Sequence, residues 1–215
     1  MIIARLLRFL FHLLYHPFAF MYDMIAWIVS LGRWNDWVKA VVPFVQGRRV
    51  LELCPGPGHL QRFFRDHGLA SLGLEESVPM IRLANKQLIS NGYTQTNLIR
   101  GKSQNLPFPN ELFDTIVSTF PSEYIFDQRT LAEVRRCLSN GGRLVVLPVA
   151  WHIGRRMIER FMAFVFRVTG ESPRLEAVVL ERLRVPFDKA GFQVVVHKIE
   201  ERSSLLLIIL ANKSR

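Results

Sequence analysis

At 215 residues, 49% of them hydrophobic, the chain is long enough for one domain with a sizeable core. Two cysteines, Cys54 and Cys137, exclude a disulfide framework and fit a reducing cytoplasm, and no cluster of Cys and His has metal-ligand spacing. The net charge of +10 is interleaved with apolar residues: residues 1–49 hold six basic against two acidic side chains, and residues 151–170 four against one. That mixture fits an anionic membrane surface better than nucleic acid, for which no binding motif is present.

Residues 2–16 form a helical pattern in which Arg5, Arg8, His12 and His16 fall within about 80° of one face, at roughly 100° per residue. The rest of that helix is apolar. At about 24 Å long, with two arginines and a stop at Pro17, it is too short to span a bilayer. His12 and His16 interrupt the apolar stretch and no small-residue cleavage site follows, so a signal peptide fits poorly. An interfacial anchor fits best; a helix packed on the core or on a second subunit is the other reading. Two more helices are predicted over residues 18–31 and 34–45, ending at Gly32 and Gly47. Trp27, Trp34 and Trp37 suit a lipid interface or the core equally.

An α/β pattern then begins. Strands are predicted at residues 49–53, 70–74, 97–100, 112–118 and 143–149, with helices at 57–67, 79–90 and 128–138 between them. Asn140-Gly141-Gly142 is predicted as the turn into the fifth strand. A helix over 154–168 follows, then one over 175–190 interrupted by Pro186. Strands at 192–199 and 204–211 are joined by a turn at Glu200-Glu201-Arg202. The expected fold is a Rossmann-like doubly wound α/β sheet of seven strands, mostly parallel with one antiparallel strand near the C-terminus, preceded by N-terminal helices.

The chemistry centres on the end of the first strand. Val50, Leu51, Glu52 and Leu53 lead through Cys54 and Pro55 into Gly56-Pro57-Gly58, and the next helix starts at once. Glycines let the backbone turn sharply and let a ligand lie against it, and the helix offers its free N–H groups there. Glu75 lies 17 residues after Gly58, at the tip of the second strand. A carboxylate near this spacing accepts hydrogen bonds from ribose hydroxyls in nucleoside-binding α/β folds. Glu76 is the lesser candidate, because the apolar strand pattern ends at Leu74.

Five pieces occur together in a recognisable order: residues 50–58; Gly73 to Ser77; Leu106-Pro107-Phe108-Pro109 with Phe113-Asp114; residues 131–138 with Gly141 to Leu144; and Ala190-Gly191-Phe192. From residue 48 to 212 the chain resembles the class I S-adenosylmethionine-dependent methyltransferases, most closely the branch of the ubiquinone and menaquinone methyltransferases. A nicotinamide-linked enzyme is the lesser reading, because Gln61 stands where its third glycine belongs.

The resemblance implies S-adenosylmethionine as cofactor and a role for each matching residue. Glu52 organises the loop and reaches the cofactor's amino group. The backbone of Gly56 to Gly58, entered through Cys54, flanks the methionine part. Glu75 holds the ribose, and Ser103 presents its N–H to the adenine. Ser118 and Thr119 flank the cofactor on the acceptor side, and Tyr22 closes over it. Two residues depart from the family pattern: Cys54 replaces a usual glycine, and Lys102 replaces a usual aspartate that accepts from the adenine amino group. An ammonium has donors and no acceptor.

The expected reaction is in-line methyl transfer to a small lipophilic acceptor. Glu123, Tyr124 and His152 are the candidates for a general base on the acceptor side. Residues 1–47 read as a helical segment that covers the site and can touch a membrane. Residues 48–215 read as the methyltransferase domain, with a helical lid at about 151–170. The expected place is the cytoplasm, peripheral on the inner face of a membrane. Two other functions stay open at this point: a scaffold that kept the fold without the chemistry, suggested by Cys54 and Lys102, and an RNA methyltransferase, suggested by charge alone.

Overall fold

The computed structural model describes residues 22–152 and 174–214. The expected helices over 2–16 and 154–168 lie outside the described residues, as does most of the expected lid. Two short helices come first, α1 (Tyr22–Ser30) and α2 (Trp34–Lys39). Then β1 (Arg49–Leu53), α3 (His59–Asp66), β2 (Ala70–Glu75), α4 (Val78–Ser90) and β3 (Leu98–Arg100) alternate. They are followed by β4 (Phe113–Thr119), α5 (Gln128–Cys137), β5 (Leu138–His152), α6 (Arg174–Lys189), β6 (Phe192–Glu201) and β7 (Ser204–Lys213).

The strands form one seven-stranded sheet in the order β3-β2-β1-β4-β5-β7-β6. β1 to β5 run parallel, and β7 runs antiparallel to both of its neighbours. β1 is central, so Val50, Leu51, Glu52 and Leu53 are all buried. This is why a continuous apolar run, rather than an alternating one, marks it in the sequence. Side chains then divide by strand period. Leu51, Leu53, Ile116, Leu144, Val146 and Ile209 pack with Leu131 of α5 and Phe187 of α6. On the opposite face Val50, Val117, Val145 and Leu147 meet Trp37 of α2 and Leu60 and Phe64 of α3.

The chain leaves β1 toward β2 and later returns to β4 on the other side. The strand order therefore reverses beside β1, and a crevice opens at the carboxyl ends of β1 and β4. The opposite ends of these strands are pinned by Asp114. Its carboxylate accepts from the Arg48 and Arg49 backbone N–H groups and from the Arg49 guanidinium. The Arg49 hydrogen bond is the main cause holding Asp114 down to about pKa 2. Next to it Thr115 Oγ1 accepts from Gln46 N at 2.9 Å and donates to Gln46 O at 2.7 Å.

Four local features differ from the sequence reading. The helix expected over 34–45 stops at Lys39, and Val42–Phe44 form a separate 3-10 turn. Pro43 has no N–H to give to the carbonyl of Lys39, so the α-helix cannot run through. Asn140-Gly141-Gly142 is a bulge inside β5 rather than a turn before it. Leu138 already pairs with Phe113, and the register then shifts so that Arg143 pairs with Thr115. Pro186 does not interrupt α6. It sits in the last turn, and its carbonyl accepts from Gln128 Nε2 at 3.0 Å. The last two strands run to Glu201 and from Ser204, leaving a two-residue connection with Arg202 at φ 56°.

Candidate functional site

The loop after β1 needs three left-handed residues within five. Cys54 has φ 54°, Gly56 φ 53° and Gly58 φ 88°. Gly56 and Gly58 adopt this freely, whereas Cys54 does so at a cost of about 1 kcal/mol. Cys54 N donates to Leu74 O at 2.8 Å, which ties the loop to the end of β2. A methyl group built on Gly56 would meet nothing within 4 Å, so the loop faces open space. Gly58 caps α3, and the first N–H groups of that helix border the same crevice.

Two carboxylates flank this loop. Glu52 is 1% exposed and its Oε2 accepts from Gln61 Nε2 at 2.9 Å. Burial pushes its carboxyl up to about pKa 8, against the lowering effect of Gln61 and with a further rise from Glu75. Glu75 is 3% exposed. Its Oε1 accepts from Ser77 N at 2.9 Å, and the backbone N–H groups of Gly56 and Glu76 also reach the carboxylate. Burial outweighs these contacts and raises its pKa. Glu75 Oε2 is buried and has no partner. An orphaned carboxylate oxygen beside an open glycine cradle suits a ligand that carries hydroxyl donors.

Gln61 was not predicted as a site residue. It is fully buried, and its amide also donates to Leu72 O at 3.1 Å, so it ties Glu52 to β2. A polar residue on the same buried face as Leu60 and Phe64 of an amphipathic helix was the available signal. Ser103 is buried in the turn closed by Asn105 N and Lys102 O at 3.0 Å. Lys102 does not lie in that recess alone: its Nζ stands 3.3 Å from Glu76 Oε1, both side chains well exposed. The residues present therefore fit a nucleoside sulfonium, and the lysine's charge has its own partner.

On the other side of the crevice, Ser118 Oγ and Tyr124 Oη lie 2.7 Å apart. Tyr124 also shares a hydrogen bond with the Cys54 thiol, so the ends of β1 and β4 are bridged. Burial first, and then Glu75, Glu76 and Glu52, push the Cys54 thiol far up, which leaves it protonated and unreactive. Thr119 is half-buried at the end of β4. Glu123 starts the 3-10 turn Glu123–Phe126 at the surface. The N-cap of α5 is Asp127, whose Oδ1 accepts from Arg129 N at 2.9 Å.

A run of rings continues the wall. Tyr22 meets Trp34 edge-on at 5.9 Å, and Trp34 stacks on Phe120 at 4.4 Å. Phe120 lies 6.2 Å from Trp37, and Trp37 lies 5.0 Å from His152. Tyr22 also packs on Met80, in the first turn of α4. His152, the last residue of β5, pairs with Ser204 of β7. The three acceptor-side candidates are thus not one cluster. Tyr124 packs against the core face that holds Leu51, and His152 rests on Trp37 at the opposite face. His152 Nε2, Trp37 Nε1 and Ser204 Oγ are each buried without a partner.

A family model described as the ubiE/COQ5 methyltransferase family matches residues 9–195. A demethylmenaquinone methyltransferase of Thermobifida fusca is 27% identical, over 79% of this chain and 77% of that protein. Another from Thermotoga maritima is 34% identical, over 63% of this chain and 60% of that one. A ubiquinone/menaquinone biosynthesis C-methyltransferase of Pectobacterium atrosepticum is 25% identical, over 72% and 64%. The chain thus spans under two thirds of the length of the second and third relatives. Among solved structures, a SAM-dependent methyltransferase of Thermotoga maritima, described as a possible histamine N-methyltransferase, superposes with a TM-score of 0.64 at 22% identity, over 94% of this chain and 99% of that one. A phosphoethanolamine N-methyltransferase of Haemonchus contortus, solved with S-adenosylhomocysteine, gives 0.58 at 15% identity, over 86% and 53%. Both share the fold.

Proposed function

We infer that this chain, which belongs to the ubiE/COQ5 methyltransferase family, transfers a methyl group from S-adenosylmethionine to a small lipophilic acceptor of the quinol class. The observation that carries the reading is the buried, unpartnered Oε2 of Glu75 beside the open Gly56 loop. Glu75 takes the ribose hydroxyls, and the Ser103 N–H takes the adenine edge. Glu52 faces the amino group, and Gly56 and Gly58 border the methionine part. Tyr22, Ser118 and Thr119 close the acceptor side. When bound, the cofactor supplies a methyl group on a sulfonium, ready for in-line attack.

The protein's contribution is alignment and exclusion of water. Holding donor and acceptor in line is worth up to about 7–11 kcal/mol. A quinol ring carbon becomes a stronger nucleophile when its phenolic proton leaves. His152 is our choice of proton acceptor, with Trp37 Nε1–H and Ser204 Oγ as partners of the acceptor oxygen. Support comes from their three buried, unpartnered polar atoms. Tyr124, bonded to Ser118 and Cys54, positions the wall instead. Glu123 stands at its rim. The acceptor class follows the names of the quinone-pathway relatives and the ring wall from Tyr22 to His152. A lipophilic acceptor and the basic, apolar N-terminal sequence support a site of action at an anionic membrane surface on the cytoplasmic side.

The test is incubation of the protein with S-adenosylmethionine and a reduced, short-chain prenyl naphthohydroquinone, followed by mass spectrometry. A ring-methylated product is expected, with turnover reduced by about 100-fold in His152→Gln. Absence of product from protein that binds the cofactor overturns the acceptor class. Full turnover by the variant overturns the role of His152.

A further inference from the structure

The outward face of α1 carries an apolar stripe. Tyr22, Ala26 and Ser30 recur every fourth residue and are buried against the body. Met24, Trp27 and Ile28 fall roughly 150° around the helix from them, and Leu31 follows at its end. Trp27 is 64% exposed and Leu31 71%. Among the described residues nine large apolar side chains are exposed, and five of them lie between Met24 and Leu31. Such concentration marks a contact surface rather than scatter.

The helix is fixed to the mouth of the site. Asp23 Oδ1 is 2.9 Å from His59 Nε2, at the start of α3, and His59 Nδ1 is 2.9 Å from Gln87 Nε2 of α4. Tyr22 touches Trp34 and Met80 from the inner side. The stripe therefore sits at a set position beside the crevice.

We propose that this stripe docks the protein on an anionic lipid bilayer and holds the acceptor-side mouth against the lipid. Nine residues make a helix of about 13.5 Å, which lies in the interface and does not cross it. No described helix is long and apolar enough to cross. Indole favours the headgroup level, where Trp27 would rest. The net charge of +10 complements anionic headgroups and repels a second copy, and the half-buried Arg33, one guanidinium nitrogen of which is buried without a partner, adjoins the stripe. The stripe's four side chains also fall short of the roughly 800 Å² per partner that a stable dimer buries. The proposal rests on the lipophilic-acceptor reading only for the purpose that docking serves.

The experiment is co-sedimentation of the full chain with vesicles of phosphatidylcholine containing about a third phosphatidylglycerol. Wild type is compared with Met24→Ser/Trp27→Ser/Ile28→Ser/Leu31→Ser. Calorimetry with S-adenosylmethionine and gel filtration are run on both. The expected result is vesicle binding by wild type, weakened at least about tenfold in the variant, with cofactor binding and elution unchanged. Equal binding by the two proteins overturns the proposal, and so does a wild type that ignores the vesicles. A wild-type dimer that the variant splits assigns the stripe to a second copy. Unchanged binding with a lowered melting temperature assigns it to cover from the chain's own residues. Failure of the methyltransferase reading shows separately, as wild type that binds no cofactor.

Discussion

Glu52 carries a proton that its chemistry does not need. Burial lifts its carboxyl from 4.5 to about 8, so the free protein holds it neutral at pH 7. A bound ammonium favours the carboxylate and pulls that pKa back down. With the cofactor's amino group at Glu52, as proposed, binding at pH 7 should therefore release a proton. Calorimetry in buffers of different ionisation enthalpy should show the release in wild type and lose it in Glu52→Gln. The same shift sets a stability slope. A pKa raised in the folded state contributes stability that is complete below about 4.5 and is lost as pH rises to about 8. The cofactor-free protein should melt lower at pH 8 than at pH 5, and Glu52→Gln should flatten that difference. Glu75, raised for the same reason, acts in the same direction.

Within the elements, the loop after β1 shows what the backbone must give. Gly56 and Gly92 both adopt positive φ over open space, Gly56 in the crevice and Gly92 at the end of α4. Alanine at either site should cost about 1 kcal/mol of stability. Only Gly56→Ala should also weaken S-adenosylmethionine binding, by about tenfold or more, because its methyl enters the open space proposed for the cofactor. Melting curves and titrations of the two variants separate the effects. Equal affinities would remove the loop from the site. This loop was legible in the sequence because its chemistry lies within nine consecutive residues. Glu75 was legible because a strand tip fixes its spacing. The end of α2 is not legible from periodicity, because apolar spacing continues through Pro43, where the missing N–H decides. The bulge at Asn140-Gly141-Gly142 looked like a turn because glycines mark both, and only pairing to Phe113 and Thr115 tells them apart.

For the whole molecule, strand number and direction followed from the alternation of apolar runs with helical patterns and from the final hairpin, whereas the strand order came only from the folded sheet. What no local pattern encodes is contact between distant residues. His152 meets Trp37 and Ser204, and Trp34 meets Phe120, only because the sheet and the two N-terminal helices fold together. Gln61 was visible as a missing glycine; its bond to Glu52 needed the packed helix. Lys102 looked like an obstacle in the sequence, and its ion pair with Glu76 appears only when the ends of β2 and β3 are adjacent. The sheet thus gathers a cradle, two buried carboxylates and a wall of rings at one edge, where methyl transfer requires donor and acceptor to be aligned.

The central claim is that this edge binds S-adenosylmethionine through Glu75. Calorimetric titration of the wild type and Glu75→Ala with S-adenosylmethionine and S-adenosylhomocysteine tests it most directly. The account predicts saturable binding of both by the wild type, weakened at least about tenfold in a variant that remains folded. Folded wild type that binds neither, or Glu75→Ala that binds both as tightly as wild type, would contradict it.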